Sequence, residues 1–233
     1  MRGFFITGTD TGVGKTLVAA GLLRIFAATG LRTVGMKPVA SGASQTAVGL
    51  RNADALALQA ASSASRPYDE VNPYVFSPAI APHLAAAEAG VTIELSRILT
   101  TYLRLCAEAD VVVVEGVGGW QVPLGDGLQL PDLARALGLP VILVVGLRLG
   151  CLNHAQLSAR AIHEDGLILA GWVANKINPD FEHCAGNLAT LKQVMKAPLL
   201  GEIPWRSEIS AEDAGGSLDA TSIFRLLNGA QAE

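Results

Sequence analysis

Charge is scarce in this sequence, and none of it is a surplus of the sign that polyanions attract. Only 16% of the 233 residues are Asp, Glu, Lys or Arg, and 17 cations against 21 anions leave a formal charge of −4. That balance offers no basic footprint, so neither nucleic acid nor an anionic membrane is expected as a partner. Long apolar runs are missing too. Half of the residues are hydrophobic, yet no stretch approaches the roughly 20 residues that cross a bilayer. Cysteine is limited to Cys106, Cys151 and Cys184, an odd number, widely spaced and outside any CxxC pairing, which argues against a disulfide framework. No leader-like segment precedes the first apolar run, and no repeat, low-complexity tract or composition shift marks a linker. These absences point to a cytoplasmic protein acting on small molecules, folded as one large domain over residues 1–233 with a loose tail at 229–233.

What is present is alternation. Short β-branched runs at Gly3–Gly8, Thr33–Lys37, Asp110–Gly116, Pro140–Gly146, Leu167–Asn175 and Leu199–Pro204 read as strands. Between them, Lys15–Thr29, Asn52–Ala61, Ile93–Ala109, Leu152–Asp165 and about Cys184–Met195 read as helices. The pattern predicts an α/β fold, a mostly parallel sheet with helices on both faces. The runs "VVVV" and "VILVV" are apolar on both faces, as fully buried central strands are. Gly30, Gly138 and Gly166 stand where helix ends favour a residue tolerant of positive φ. In such a sheet, ligands bind beyond the carboxyl ends of the strands.

The first strand ends in "GTDTGVGKT", residues 8–16, which has five residues between its first and last glycine where the usual phosphate loop has four. Gly12 and Gly14 would let backbone N–H groups converge on phosphate oxygens at the start of a helix. Lys15 would then touch the β/γ-phosphates, and the Thr16 hydroxyl would ligate Mg²⁺. A glycine-rich turn with a helix-capping threonine is the plainer alternative. The third strand ends in Glu115, where nucleotide-hydrolysing folds keep a Mg²⁺ carboxylate, although a strand-end glutamate can simply be solvated. Asp54 could add a second metal or water ligand, or only serve a helix dipole. "GMKPVASG" brings a second lysine, Lys37, to the end of the second strand, with Ser41 four residues on. Two cations flanking one phosphoryl group would stabilise its charge in transfer.

With "KPVASG", "RNADALAL", "NPYVF", "VEGVGGW", "LRLGCLNH", "GWVAN" and "LLGEIPW" added, the chain closely resembles the dethiobiotin synthetase family over about residues 3–206. A loop with one extra residue between its glycines is that family's own variant, on a P-loop NTPase-like fold. The resemblance implies that 7,8-diaminopelargonate, CO₂ and ATP are converted to dethiobiotin, ADP and phosphate, with Mg²⁺ required. It makes Lys37 the catalytic lysine beside Lys15, with Thr11 and Ser41 as hydroxyl donors to the substrate. Thr16, Asp54 and Glu115 are similar to the Mg²⁺ ligands. The implied ATP contacts are Gly12, Val13, Gly14, Lys15, Thr16 and Leu17 in the loop, Gly116, Val117 and Gly118 along the phosphates, and Asn175, Lys176, Pro204, Trp205 and Arg206 around the base. The turn at Gly150, Cys151 and Asn153 is implied to reach the substrate carboxylate in a partner subunit's site, and hence a homodimer.

Lys176 departs from the family pattern, where a small acidic residue is expected, and "NKIN" stops one residue short of the guanine-selecting N-K-x-D. No carboxylate would then receive the guanine N–H groups. Of Glu208, Glu212 and Asp213, one is expected to reach the ribose. Cys151 is expected to be a small buried side chain without thiol chemistry, and Trp120 and Trp172 to be packing residues. Two rival classes share this fold. Switch ATPases of the partition type carry a lysine early in the loop, where this chain has Asp10, and need a basic face or an amphipathic terminal helix. Ligases of corrinoid carboxylates would not call for Lys37 with Ser41.

Overall fold

The computed structural model describes residues 3–229, so most of the tail expected to be loose lies outside the described residues. Six strands form the large sheet: β1 (Gly3–Gly8), β2 (Thr33–Met36), β7 (Val111–Glu115), β10 (Val141–Gly146), β11 (Leu169–Asn175) and β12 (Leu199–Ile203). Three small pairs supply the rest, β3 (Val39–Ala40) with β6 (Tyr74–Val75), the hairpin β4 (Ser44–Thr46) and β5 (Gly49–Arg51), and the hairpin β8 (Pro123–Gly125) and β9 (Leu128–Gln129). The helices are α1 (Lys15–Ala28), α2 (Ala53–Ala61), α3 (Tyr68–Val71), α4 (Pro82–Glu88), α5 (Leu95–Glu108), α6 (Leu130–Leu137), α7 (Cys151–Glu164), α8 (Cys184–Val194), α9 (Ala211–Gly216) and α10 (Ala220–Leu227).

The large sheet runs β12-β11-β10-β1-β7-β2, with every pairing parallel. All six carboxyl ends therefore open on one side. The chain leaves β1 for β2, and β7 later fills the place between them, so the strand order reverses beside β1, where a ligand crevice is expected.

Alternation along buried strands divides the interior in two, because successive side chains point to opposite faces. Phe4 and Ile6, Val111 and Val113, and Ile142 and Val144 enter one core with Leu22 and Phe26 of α1. Phe5, Val112 and Val114, and Leu143 and Val145 enter the other with Leu133 of α6 and Ile162 of α7. With helices covering both faces, β7 and β10 are buried along their whole length, as their unbroken apolar runs require. Trp120 and Trp172 are buried in the second core, so both are packing residues.

The six expected strands and five expected helices all form, within two residues at each end. One boundary matters for chemistry. Lys37 is not the last residue of β2: Pro38 has no N–H to continue the ladder, and the Lys37 N–H turns to Val71 O at 2.7 Å. Likewise α7 begins at Cys151, one residue early, because Gly150 supplies the left-handed start with φ 94°. Gly30, Gly138 and Gly166 take positive φ at helix ends.

Candidate active site

Beyond the carboxyl ends of β1, β2 and β7, three segments meet. The phosphate loop follows β1, and Gly14 caps α1 in the left-handed region with φ 92° and no side-chain cap. The first N–H groups of α1 therefore face outward, a ready anion site. Gly14 is also sterically required, since a Cβ there would stand 2.2 Å from Asn175 Nδ2. That amide comes from the end of β11 and donates to Val13 O at 2.9 Å, tying the loop to a strand two places along the sheet. Thr11 lies across from the 116–118 loop, its Oγ1 3.9 Å from where a Cβ on Gly118 would be.

The centre of the site is a buried ammonium. Lys37 Nζ donates to Glu115 Oε1 at 2.6 Å and to Gly116 O at 3.0 Å, and pairs with Asp54 Oδ2 at 3.0 Å. Thr16 Oγ1 donates to the same Glu115 oxygen at 3.0 Å. Lys37 and Glu115 are 3% and 1% exposed, so Lys37 is not a surface lysine and Glu115 is not a solvated strand end. Burial works to lower the Lys37 pKa, but the two carboxylates outweigh it and hold the ammonium above its usual value. Burial also works to raise Asp54, and Lys37 outweighs it, leaving that carboxyl below its ordinary range. Glu115 is pushed up by burial despite Lys37. Lys15 is lowered to about 8, first by burial and then by the Lys37 charge, and its Nζ rests on Asp10 O at 2.8 Å. The Lys37 and Lys15 charges thus repel one another, and a polyanion between them would relieve that repulsion.

Local sequence explains how Asp54 gets there. Asn52 caps α2 by accepting from the N–H groups of Asp54 and Ala55, and its Nδ2 donates to Ser41 O at 3.3 Å. Asn72 Nδ2 donates to Lys37 O at 2.7 Å, holding the backbone after β2. The cap made by Asn52 is local, but its bond to Ser41 O and the Asn72 brace on Lys37 O span 11 and 35 residues, and these the sequence did not show.

The residues gathered here suit a divalent cation. Glu115 Oε2 is buried without a hydrogen-bond partner, and Thr16 and Asp54 flank the same point. Two carboxylates and a hydroxyl are few ligands for calcium or zinc but ordinary for Mg²⁺, which takes its remaining oxygens from water and phosphate. No cluster of three or more His, Cys, Asp or Glu able to hold a metal occurs among the described residues.

Farther out the picture is looser. Pro204, Trp205 and Arg206 follow β12 and are exposed, and Arg206 pairs with Asp213 at 2.9 Å. Glu212 pairs with Arg24 at 2.9 Å, while Glu208 is exposed. Lys176 is half-buried, its N–H on Ile203 O at 3.0 Å; Leu17, Ser41 and Val117 are half-buried also. In the 147–153 turn, the Cys151 N–H is occupied by Arg148 O at 3.0 Å, and its buried thiol points to Asn187 Oδ1 at 3.8 Å. Asn153 is exposed. Sequence reasoning passed over Arg148, whose guanidinium bonds the Asp10 carboxylate. A groove of about 1320 Å³ opens elsewhere, between α7, α8 and the starts of β10 and β11, and contains none of the phosphate-loop residues.

This is the fold of the P-loop NTPases. An AAA domain family model matches residues 2–213. Among solved structures, the MinC:MinD cell division complex of Aquifex aeolicus is similar with TM-score 0.62 at 14% identity, covering 98% of this chain and 96% of that one. MinD complexed with Mg-ADP from Pyrococcus horikoshii is similar with TM-score 0.55 at 19% identity, covering 99% and 92%. At such identities these show the fold alone. Curated relatives are far nearer. An ATP-dependent dethiobiotin synthetase BioD of Pseudomonas aeruginosa is 53% identical over 220 residues, 94% of this chain and 96% of that protein. One from Xanthomonas oryzae pv. oryzae is 52% identical over 208 residues, 89% and 93%. The chain belongs to the ATP-dependent dethiobiotin synthetase family.

Proposed function

We propose that the protein is an ATP-dependent cyclo-ligase that converts 7,8-diaminopelargonate and CO₂ to dethiobiotin. The observation that carries this reading is the buried Lys37 ammonium set beside the phosphate loop between Glu115 and Asp54. The switch ATPases of this fold carry their further lysine early in the loop, where this chain has Asp10; here the second lysine comes from just past β2, and a reaction that brings two anions together has use for it there.

The chemistry asks for no protein nucleophile. One substrate amine takes up CO₂ as a carbamate and releases a proton. A carbamate oxygen then attacks the γ-phosphate, displacing ADP, and the second amine closes the ureido ring on the mixed anhydride, releasing phosphate. The site must hold carbamate and triphosphate together against their repulsion. Lys15 and Lys37 supply the opposing charge, Thr11 and Ser41 are hydroxyl donors to the carbamate, and the N–H groups from Gly12 to Leu17 cradle the phosphates, with Gly116, Val117 and Gly118 on the other side. Thr16, Asp54 and Glu115 would hold Mg²⁺, which neutralises phosphate charge when bound. Asn175 with Lys176, and Pro204, Trp205 and Arg206, would border the base.

A homodimer is part of the reading, with Gly150, Cys151 and Asn153 reaching the partner's substrate carboxylate. Support comes from apolar side chains left in solvent along this region: Leu149 is 88% exposed, Leu157 57% and Ile168 64%. Mixing Lys37→Ala and Asn153→Ala chains should restore part of the lost activity if sites are shared. Simple dilution of activity would argue for self-contained sites.

The test of function is phosphate release from Mg·ATP with bicarbonate, with and without 7,8-diaminopelargonate. Release that requires the diamine, with dethiobiotin formed in equal amount, is expected. Release indifferent to the diamine would overturn the reading.

A further inference from the structure

Lys37, Ser41 and Asp54 come from the chain that runs from the end of β2 into α2, and all three serve the site of their own protomer. One short helix holds their backbone. α3 (Tyr68–Val71) is a single turn, and its end clamps Lys37 from both sides. The Lys37 N–H donates to Val71 O at 2.7 Å, and Asn72 Nδ2 donates to Lys37 O at 2.7 Å. The start of the same turn faces α2. Tyr68 Oη accepts from the Asn52 N–H at 2.7 Å, while Asn52 caps α2 ahead of Asp54 and donates from Nδ2 to Ser41 O at 3.3 Å.

The tyrosine hydroxyl joins the two halves, because it also donates to Asn72 Oδ1 at 3.0 Å. Both Nδ2 hydrogens of Asn72 are taken, by Lys37 O and by Tyr74 O at 2.9 Å, which leaves its oxygen to receive this hydroxyl. Asn52 and Asn72 are buried, so a group that lost its partner there would go unsatisfied. Burial raises the Tyr68 pKa, and the hydroxyl therefore keeps its proton at neutral pH. The ring has a separate contact, the Arg51 guanidinium 4.1 Å from its centroid.

We propose that Tyr68 is a positioning residue: its hydroxyl ties the bracket that carries Lys37 to the one that carries Asp54 and Ser41, and so sets where the Lys37 ammonium meets the transferring phosphoryl group. The inference rests on the ligase reading above. One shared hydroxyl keeps the two brackets in register, and an error of about 1 Å between reacting groups can cost up to a hundredfold in rate. The phosphate loop is braced elsewhere, by Asn175 Nδ2 on Val13 O and by the Thr9 N–H on Val144 O at 3.0 Å. Tyr68 thus acts on the second lysine and not on the ATP cradle.

The experiment introduces Tyr68→Phe, which deletes the hydroxyl and keeps the ring, into wild type and into Lys37→Ala. It reads kcat for dethiobiotin formation well below the thermal midpoint, and ATP affinity by calorimetry. In wild type, kcat is expected to fall about tenfold with ATP affinity unchanged. In Lys37→Ala the same change should lower kcat by no more than about twofold, since the group it positions is already gone. Support of the fold alone would instead give the same fractional loss in both backgrounds. Full kcat in Tyr68→Phe, a tenfold loss repeated in Lys37→Ala, or ATP affinity that falls in step with kcat would overturn the proposal. Arg51→Met removes the cation from the ring and spares the hydroxyl, so it should keep wild-type kcat; a variant as slow as Tyr68→Phe counts against the hydroxyl. If Tyr68→Phe folds poorly, Asn72→Ala opens the clamp on Lys37 O directly and should slow kcat at least as much, and wild-type kcat there would sink the brace. A wild-type protein that forms no dethiobiotin sinks the ligase reading itself, whereas active wild type with an equally active Tyr68→Phe sinks only the role of Tyr68.

Discussion

Two charged clusters stand past the carboxyl ends of strands, and they differ in almost everything but charge. One joins Lys37, Glu115 and Asp54 beyond β2 and β7; the other joins Arg206 and Asp213 beyond β12, with Asp213 also bonded by Ser210 in a capping box on α9. The first is closed off from water at two of its three members, whereas the Arg206 and Asp213 side chains are 54% and 43% accessible. In water a pair of charges gains little over its solvated state. Inside the protein the same pair is expensive to assemble and still more expensive to break. A buried lysine held by two carboxylates therefore has its position and its protonation dictated; an exposed arginine does not.

The largest effect should follow from removing the buried cation. Lys37→Ala is expected to slow turnover by about a hundredfold or more while ATP still binds. Near-normal turnover would end its assigned role. The same change leaves Glu115 buried without its counter-charge, which should cost roughly 3–5 kcal/mol of stability in the absence of ligands. Thr16, Asp54 and Glu115 converge beside Lys37, so Mg²⁺ added to the variant should restore part of that loss by supplying positive charge next to the buried carboxylate. Denaturation curves with and without Mg²⁺ read this directly, and a deficit that ignores the metal would break the comparison. Next in size, Thr16→Ala and Glu115→Gln should shift the Mg²⁺ dependence of activity to higher concentration, and superimposable titration curves would exclude these residues as ligands.

The smallest effects belong to the exposed side. Arg206→Ala should leave the thermal midpoint unchanged, and a clear drop would show that exposure is a poor guide here. Asp219, which caps α10, has its carboxyl held below the usual range by Ser222 bonds. A depressed carboxylate lends stability above its unfolded pKa and loses it as pH falls through the lower folded value. Asp219→Asn should therefore cost a small increment of stability at neutral pH and converge on wild type in acid, flattening the acid-side slope. A gap between variant and wild type that stays constant through the acid range would contradict that assignment.

How much of this could be read from the chain depends on the range of the interactions. Phe4–Phe5–Ile6, "VVVV" and "VILVV" declared buried strands because burial on both faces leaves no room for polar residues. The helices α3, α4, α6, α9 and α10 were not anticipated, since most are under two turns and are held by packing more than by their own pattern. The hairpins β4–β5 and β8–β9 escaped for the same reason; the second turns on Asp126, a non-glycine at φ 48°. In the site, glycines, Lys15 and Thr16 announced themselves by spacing. Arg148 sat in plain view within "LRLGCLNH", but its partner is 138 residues away, and no local pattern encodes that.

By itself the sequence determined the class of the molecule: strand, glycine loop and helix in succession, with a phosphate loop one residue longer than usual, are local facts written in spacing and side-chain size. Only the tertiary structure decided what the charges do. Lys37 is an ordinary lysine until β2 stops at Pro38, β7 delivers Glu115 and Asn52 turns α2 so that Asp54 faces it. The reason is electrostatic: a charge acquires its strength from the water it has lost and the partners it has gained, and both are properties of the folded chain.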